Sequence, residues 1–235
     1  MCGRFTLTKD KEEIEERFEI HIDPTMFSKT YNAAPNQILP IITNDIQEQA
    51  SFHRWGLIPH WAKDERIGNK LINARAETIT EKPSFRDAVQ KRRCLVITDG
   101  FYEWKRSGTN KQPYRITLTD ESLFAYAGLW ESWSAPDGRE VRSFTIITVE
   151  PNELIKPIHN RMPAMLSQET EKVWISDEPL ETVLHLLQPY DEEEMNAYPV
   201  STRVNSTKNN DPSLLETDQQ TLFSPINLPA ADKHG

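Results

Sequence analysis

The chain has 235 residues, 37% of them hydrophobic and 9% aromatic, which excludes a disordered protein and allows a sizeable core. No apolar run approaches the roughly 18 residues of a membrane span, and the N-terminus lacks the apolar segment of a secretory signal. With 2 cysteines and no CxxC or Cys/His cluster, neither a disulfide scaffold nor a structural zinc site is expected. We therefore expect a cytoplasmic protein without metal or cofactor.

Charge is distributed unevenly along the chain. The net charge is −9, from 27 Lys and Arg against 36 Asp and Glu, which by itself argues against a nucleic-acid partner. Residues 54–115, however, hold 14 basic against 7 acidic residues, a local charge of +7. A basic middle between acidic ends suits a protein with one anion-binding face, so the global charge does not exclude DNA or RNA.

The N-terminal half predicts short elements. Asp10 to Glu13 resembles a capping box, and Ile14 and Phe18 follow at helical spacing, which predicts a short helix. In chain order, the pattern then predicts strands at 37–43 and 51–58, a helix at 85–93 and a strand at 94–98. Cys94, inside that last strand, is interpreted as a buried core thiol.

The second half is predicted to be richer in strands. After the Asp99-Gly100 turn, strands are predicted at 101–104, 114–118, 123–129 and 142–148. Helical segments are predicted at 151–155, 168–175 and 180–187, and an irregular tail from residue 205. Because regular βαβ alternation and internal repeats are absent, we predict one α+β domain at residues 1–225, with a curved, mainly antiparallel, barrel-like sheet flanked by short helices. Residues 226–235 are predicted to be loose.

Cys2 is the most informative residue. Removal of Met1 would leave a cysteine with two nucleophiles, an α-amine with a pKa near 7.7–8.0 and a thiol near 8.5. Such an amine can form a Schiff base with an aldehyde, and the thiol can then close a five-membered thiazolidine. A terminal cysteine can equally act as a peptidase nucleophile with its amine as base. It can also be an accident of sequence.

Several polar residues stand in positions that suit a site. His159 lies in a segment bounded by prolines, where an imidazole can act as an acid or base or be merely structural. Glu103 lies among aromatic residues, which would raise the pKa of its carboxyl unless it faces water. Asn73, Arg75 and Glu77 share one side if the segment is extended. No GxGxxG, P-loop, HExxH or GxSxG motif is present.

Seven segments in sequence order together carry a family resemblance. They are Met1-Cys2-Gly3-Arg4-Phe5, Tyr31-Asn32-Ala33-Ala34-Pro35, Trp55-Gly56-Leu57-Ile58-Pro59, Asn73-Ala74-Arg75-Ala76-Glu77, Asp99-Gly100-Phe101-Tyr102-Glu103-Trp104, His159-Asn160-Arg161-Met162-Pro163 and Val200-Ser201-Thr202-Arg203-Val204-Asn205. The chain resembles the SOS-response-associated peptidase (SRAP) family over about residues 1–215. Each segment alone is weak evidence, whereas their common order is specific.

The resemblance implies the SRAP fold and covalent protection of abasic sites in single-stranded DNA, by a thiazolidine formed after removal of Met1. It implies Cys2 as the crosslinking nucleophile, Asn73 as the residue that positions it, Glu103 as acid/base, and His159 as the group that moves a proton at the sugar and assists crosslink reversal. It also implies a set of DNA contacts: Arg4, Pro35, Trp61, Arg75, Thr148 and Arg161.

Two departures and two alternatives accompany the resemblance. Ala62 follows Trp61, where the family often has a second aromatic residue, so the stacking surface is expected to be smaller. A basic residue usually found about ten positions after Asn73 has Lys82 or Arg86 as its nearest substitute here.

The alternatives are a thiol peptidase acting on other proteins and a non-covalent reader of modified bases. The protein is expected to act as a monomer, near the nucleoid and without a membrane partner.

Overall fold

Short strands dominate the chain, which the computed structural model describes over residues 2–218. The elements are β1 (Phe5–Leu7), α1 (Lys11–Phe18), β2 (Thr30–Ala33), β3 (Ile38–Thr43), β4 (Ile46–Trp55), β5 (Asn73–Arg75), α2 (Arg86–Lys91), β6 (Arg93–Thr98), β7 (Gly100–Ser107), β8 (Asn110–Leu118), β9 (Phe124–Ser134), β10 (Glu140–Val149), β11 (Met162–Pro163), β12 (Met165–Leu166), α3 (Gln168–Trp174), α4 (Leu180–Leu184) and β13 (Met195–Pro199). Short 3₁₀ helices lie between them, at Glu65–Lys70, Ala76–Thr78, Glu192–Glu194, Thr202–Asn205 and Pro212–Leu215.

Five strands close into a barrel. Strand β3 pairs with β4 and β6, β6 pairs with β9, and β9 pairs with β10, all antiparallel. The circle closes where β10 runs parallel to β4. Inside, the Trp55 ring stacks on Phe144 with centroids 6.2 Å apart and lies 5.2 Å from Phe5. Burial of these large side chains supplies the main driving force for closure.

A second, antiparallel sheet carries the N-terminus. Its order is β13-β8-β7-β1-β2, and β7 and β8 form a hairpin that extends well beyond the short strand β1. Gly108 has a φ of 59° in the turn of this hairpin, a conformation that favours glycine. The far half of β7 therefore has one edge that β1 does not cover.

The structure confirms the α+β fold class, with a mainly antiparallel barrel-like sheet and short helices. The predicted helix at 151–155 is wrong, because the segment forms turns. The Asn152 Oδ1 accepts the Ile155 amide at 3.0 Å, and Pro157 has no amide to continue a helix. The predicted extended row beyond Arg75 is also wrong, since Glu77 lies in a 3₁₀ helix.

The C-terminal segment is more ordered than predicted. Residues from 205 were expected to be irregular, yet the 3₁₀ helix Pro212–Leu215 follows. The Asn32 Nδ2 donates to the Ser206 and Asn209 carbonyls at 3.0 and 2.9 Å and so holds this segment against β2. The predicted loose tail, 226–235, lies outside the described residues. Across residues 2–218, every helix is too short or too polar to cross a membrane.

Candidate active site

Cys2 lies against β7, immediately before β1. The antiparallel pairing of β1 with β7 continues to the Tyr102 amide, which donates to the Arg4 carbonyl at 3.0 Å. One further step in this register places Gly3 opposite Glu103, and Cys2 precedes Gly3 in the chain, close enough for the Glu103 carboxylate to act on its thiol. Strand pairing therefore positions the N-terminal segment at the uncovered edge of β7.

The thiol of Cys2 is fully buried, with 0% exposure. Its Sγ makes a long hydrogen bond to the Arg4 carbonyl, 4.0 Å away. Burial raises the pKa of this thiol, and the Glu103 carboxylate raises it further. The group therefore keeps its proton at neutral pH and is not a preformed thiolate.

Glu103 and His159 form a pair beside Cys2. The His159 Nδ1 lies 3.8 Å from the Glu103 Oε1, and the His159 ring nitrogen also lies 3.1 Å from both the amide nitrogen and the carbonyl oxygen of Arg161. Glu103 is 2% exposed, and this burial raises the pKa of its carboxyl, an effect that nearby His159 opposes. A carboxyl with a raised pKa next to a partly exposed imidazole is suited to proton transfer.

The pair opens into a cleft of about 510 Å³. Besides Glu103 and His159, the lining comprises Trp104, Arg106, Lys111 and Asn205. The Trp104 Nε1 donates to the Asn205 Oδ1 at 2.7 Å. Sequence reasoning missed these four lining residues. The period of two along β7 places Trp104 and Arg106 on the other face from Glu103, and Asn205 lies in the C-terminal segment, so the sequence pattern contains no signal for this grouping.

Asn73 begins β5, which pairs parallel with β10. Both side-chain atoms, Oδ1 and Nδ2, are buried and have no hydrogen-bond partner among residues 2–218. An amide left unsatisfied in this way destabilises the fold and calls for an explanation, of which a role in ligand binding is one.

Arg161 connects the His159 segment to β10 and to the residues after β5. Its guanidinium binds both carboxylate oxygens of Glu77, at 2.6 and 2.9 Å, and donates to the Thr148 carbonyl at 2.6 Å. Thr148 in turn donates to the Ala74 carbonyl at 3.3 Å. These contacts hold the His159 segment near the strand that carries Asn73. They also lower the pKa of the Glu77 carboxyl.

The other predicted DNA contacts lie outside the lining of the cleft. Arg4 donates to the Asn32 Oδ1 and to the Val204 carbonyl, both at 2.9 Å. Arg75 is exposed and Pro35 is half-buried. Trp61 is 48% exposed, and its Nε1 donates to the Pro83 carbonyl at 3.4 Å. The structure thus brings Cys2, Glu103 and His159 together, while Pro35, Trp61 and Arg75 are not part of the cleft lining.

A buried polar network fixes the strand that follows Cys2. The Asp99 carboxylate accepts the Thr6 hydroxyl at 2.5 Å and the Thr8 amide and hydroxyl, both at 2.6 Å. Arg115 lies 3.6 Å from the same carboxylate. Because Asp99 directly precedes β7, this network ties β1 to the start of the strand that carries Glu103.

Comparison with known proteins shows matches over nearly the whole chain. The family model of the SOS response associated peptidases (SRAP) matches residues 1–207. The chain belongs to the SRAP family. One SRAP relative, the abasic site processing protein YoqW of Bacillus subtilis (strain 168), is 49% identical over 223 residues, which span 92% of this chain and 100% of that protein.

More distant SRAP relatives and solved structures agree with this assignment. The abasic site processing protein HMCES of Xenopus tropicalis is 33% identical over 227 residues, covering 82% of this chain and 67% of that protein. A crystal structure of a protein from Bacteroides thetaiotaomicron matches with a TM-score of 0.86 and 32% identity, covering 92% of this chain and 100% of that chain. The SRAP fold therefore extends over nearly all of this chain.

Proposed function

We propose that this protein processes abasic sites in single-stranded DNA by joining to them covalently through Cys2. The observation that carries the proposal is the buried Cys2 beside a carboxyl of raised pKa, with His159 3.8 Å from that carboxyl. The printed names of the relatives, abasic site processing proteins, support the same substrate class.

In the proposed reaction, removal of Met1 frees the α-amine of Cys2. An abasic sugar is mainly a closed hemiacetal, and a proton from Glu103 assists its opening to the C1′ aldehyde. The amine nitrogen then attacks C1′, and the hydroxyl of the resulting carbinolamine leaves as water to give an imine. The Cys2 Sγ adds to C1′, and its proton passes through Glu103 to the nitrogen. The product is a thiazolidine, and one water is released.

The raised pKa of the thiol supports this order of events. An α-amine with a pKa near 7.7–8.0 is partly neutral at physiological pH, whereas a buried thiol retains its proton. The nitrogen is therefore the first nucleophile. The sulfur follows as an intramolecular partner, for which the effective molarity can reach roughly 10⁵ M.

The remaining predicted site residues have roles around this step. The unsatisfied amide of Asn73 is proposed to hold the sugar and the freed terminus, and His159 is proposed to move a proton at the sugar and during reversal. Arg75 is proposed to contact phosphates, and Pro35 and Trp61 to support a bend in the strand. The family model covers residues 1–207, a range that includes all of these positions.

Three predicted contacts are engaged with other groups in the protein. Arg161 is paired with Glu77, and Arg4 is bonded to Asn32 and Val204. A phosphate bound by either arginine would therefore share its guanidinium with these partners. Thr148 is 1% exposed, so the proposal places it behind the site, in support of Arg161.

A thiol peptidase is the second candidate, because Cys2, Glu103 and His159 also resemble a nucleophile with an acid/base pair. A peptidase acting through sulfur requires a thiolate, which a lowered pKa normally supplies. Here burial raises the pKa of the Cys2 thiol instead. The raised pKa of this thiol argues against cleavage of other proteins by a sulfur nucleophile.

The experiment that tests the proposal distinguishes the contribution of the Cys2 α-amine nitrogen from that of the Cys2 sulfur. Wild type and Cys2→Ser are incubated with a single-stranded oligonucleotide that carries one abasic site, with and without borohydride, and resolved under denaturing conditions. We expect wild type to give an adduct without borohydride and Cys2→Ser to give one only after reduction. Cys94→Ala is the matched control and should behave as wild type. A stable adduct from unreduced Cys2→Ser, or cleavage of unrelated peptides by wild type, would contradict the proposal.

A further inference from the structure

The β7–β8 hairpin carries a block of positive charge at the mouth of the cleft. Residues 104–119 contain Lys105, Arg106, Lys111 and Arg115 and no Asp or Glu. Arg106 and Lys111 are exposed and line the same cleft as Glu103 and His159. In a chain with a net charge of −9, this local excess of positive charge is the reverse of the average.

Arg106 and Lys111 lie directly opposite each other in the hairpin register. Like charges at facing positions of an antiparallel pair destabilise the pairing. Among residues 2–218, neither side chain has an ion-pair or hydrogen-bond partner. Most other surface arginines are neutralised locally, as Arg139 is by Asp137 at 2.7 Å. The two facing cations therefore lack the local carboxylate that these paired arginines have.

We propose that Arg106 and Lys111 together bind one backbone phosphate of the DNA strand, next to the nucleotide that reacts with Cys2. This inference rests on the proposed function and adds a binding site to it. An anion between the two cations would remove their mutual repulsion. The site therefore becomes favourable only when a phosphate is present.

The spacing along β7 fits a neighbouring phosphate. Arg106 is three residues beyond Glu103, which is about 10 Å along a strand. The long, flexible side chains of Arg106 and Lys111 can span the remaining distance to a DNA strand that passes over the cleft. Trp104, between Glu103 and Arg106 in sequence and also in the lining, offers an aromatic surface at the same place.

The first test measures binding without reaction. A single-stranded oligonucleotide with a tetrahydrofuran in place of the abasic sugar cannot form an aldehyde, so fluorescence anisotropy reports affinity alone. We expect Arg106→Ala and Lys111→Ala each to weaken binding by about 5- to 10-fold at ~100 mM salt, and to reduce the salt slope by about 0.7 for the one lost phosphate. Lys105→Ala removes the same charge from the same strand outside the cleft lining, and should change affinity less than 2-fold.

The second test locates the phosphate. Single neutral methylphosphonates are placed at successive linkages on both sides of the tetrahydrofuran. At one linkage we expect the substitution to weaken binding by wild type but not by the Arg106→Ala/Lys111→Ala double variant. Equal losses for Lys105→Ala and Arg106→Ala, or no linkage at which the two proteins differ, would overturn the inference. Absence of any adduct between wild type and natural abasic DNA would instead refute the proposed function. The binding comparison would still be interpretable, because the tetrahydrofuran oligonucleotide does not react.

Discussion

Among single residues, Glu103 has the surroundings that matter most for the proposed chemistry. It is buried between the N-terminal segment and His159, and burial raises the pKa of its carboxyl. A proton is thus retained on Glu103 to a higher pH than on a free carboxyl. The same environment also keeps the Cys2 thiol protonated, which makes the α-amine the only strong nucleophile before the reaction starts.

A pH profile of crosslinking tests the role of Glu103. The reaction needs a protonated Glu103 and a neutral α-amine, so the wild-type rate should be bell-shaped in pH. Glu103→Gln should be slower by about 100-fold near neutral pH. Its rate should rise with pH to about 7.7–8.0, the usual pKa of an α-amine, and then stay level. A Glu103→Gln profile that keeps the alkaline decline would remove Glu103 from its assigned role.

Asn73 allows function to be separated from stability. Its amide has no hydrogen-bond partner among residues 2–218, so replacing it by an apolar group of similar shape removes a desolvation penalty. We expect Asn73→Leu to raise the free energy of unfolding by about 1 kcal/mol, measured by urea denaturation. Adduct formation should fall at least 10-fold in the same variant. A variant that is less stable than wild type, or equally reactive, would contradict this account of the amide.

At the scale of elements, the pairing of β1 with β7 determines where Cys2 lies. Asp99 holds that pairing through Thr6 and Thr8, with Arg115 at 3.6 Å as the countercharge. The position of Cys2 therefore depends on a network several residues away. Substitutions in this network should affect the reaction through position rather than through chemistry.

Replacing Asp99 tests this dependence. Asp99→Ala leaves Arg115, only 7% exposed, without its carboxylate, so we expect a loss of about 3 kcal/mol in the free energy of unfolding. Crosslinking should fall as well, and Asp99→Asn should restore part of both. Asp137→Ala is the control, because the Asp137–Arg139 pair is exposed to solvent and contributes little to stability. Equal effects of the Asp99 and Asp137 variants would contradict the anchoring role.

The element predictions show what local sequence can determine. The aromatic residues of β7 and the β-branched residues of β10 identified strands within a few residues of their observed ends, because both residue types favour strands. The parallel contact of β10 with β4 and β5 was not predicted, since such pairing depends on residues far apart in sequence. The helix predicted at 151–155 failed because Asn152 accepts a backbone amide and forms a turn instead.

The residues of the candidate site also fall into two groups, those that the sequence identifies and those that only the fold brings to the cleft. Cys2, Glu103 and His159 were named from residue type and family resemblance, and the structure brings them together. Arg106, Lys111 and Asn205 were not named, because their approach to the cleft follows from the hairpin register and from the fold of the C-terminal segment. Residue chemistry is readable from sequence, whereas the assembly of distant segments requires the fold.

At the scale of the whole molecule, His53 makes stability depend on pH. It lies in barrel strand β4 with 1% exposure, and both ring nitrogens lack a partner among residues 2–218. Burial, helped by Arg142 and opposed by Asp45, lowers the pKa of His53 to about 4. An unfolded chain takes up this proton near pH 6.5 and the folded one does not, so acid favours unfolding.

The expected change in the free energy of unfolding has a definite sign and a definite pH range. As pH falls from about 6.5 to about 4, we expect the free energy of unfolding to drop by about 3 kcal/mol through His53. His53→Leu should lose this part of the pH dependence, as measured by urea denaturation at several pH values. Wild type and His53→Leu curves that remain parallel across this window would show that His53 titrates normally.

The intact mass of the product tests the central proposal most directly. The protein is mixed with a single-stranded oligonucleotide that contains one abasic site, and the denatured product is weighed by mass spectrometry. The predicted species is one chain without Met1 joined to one oligonucleotide, with the loss of one water, and peptide mapping should place the link at Cys2. An unmodified protein, or an adduct that still carries Met1, would contradict the proposal.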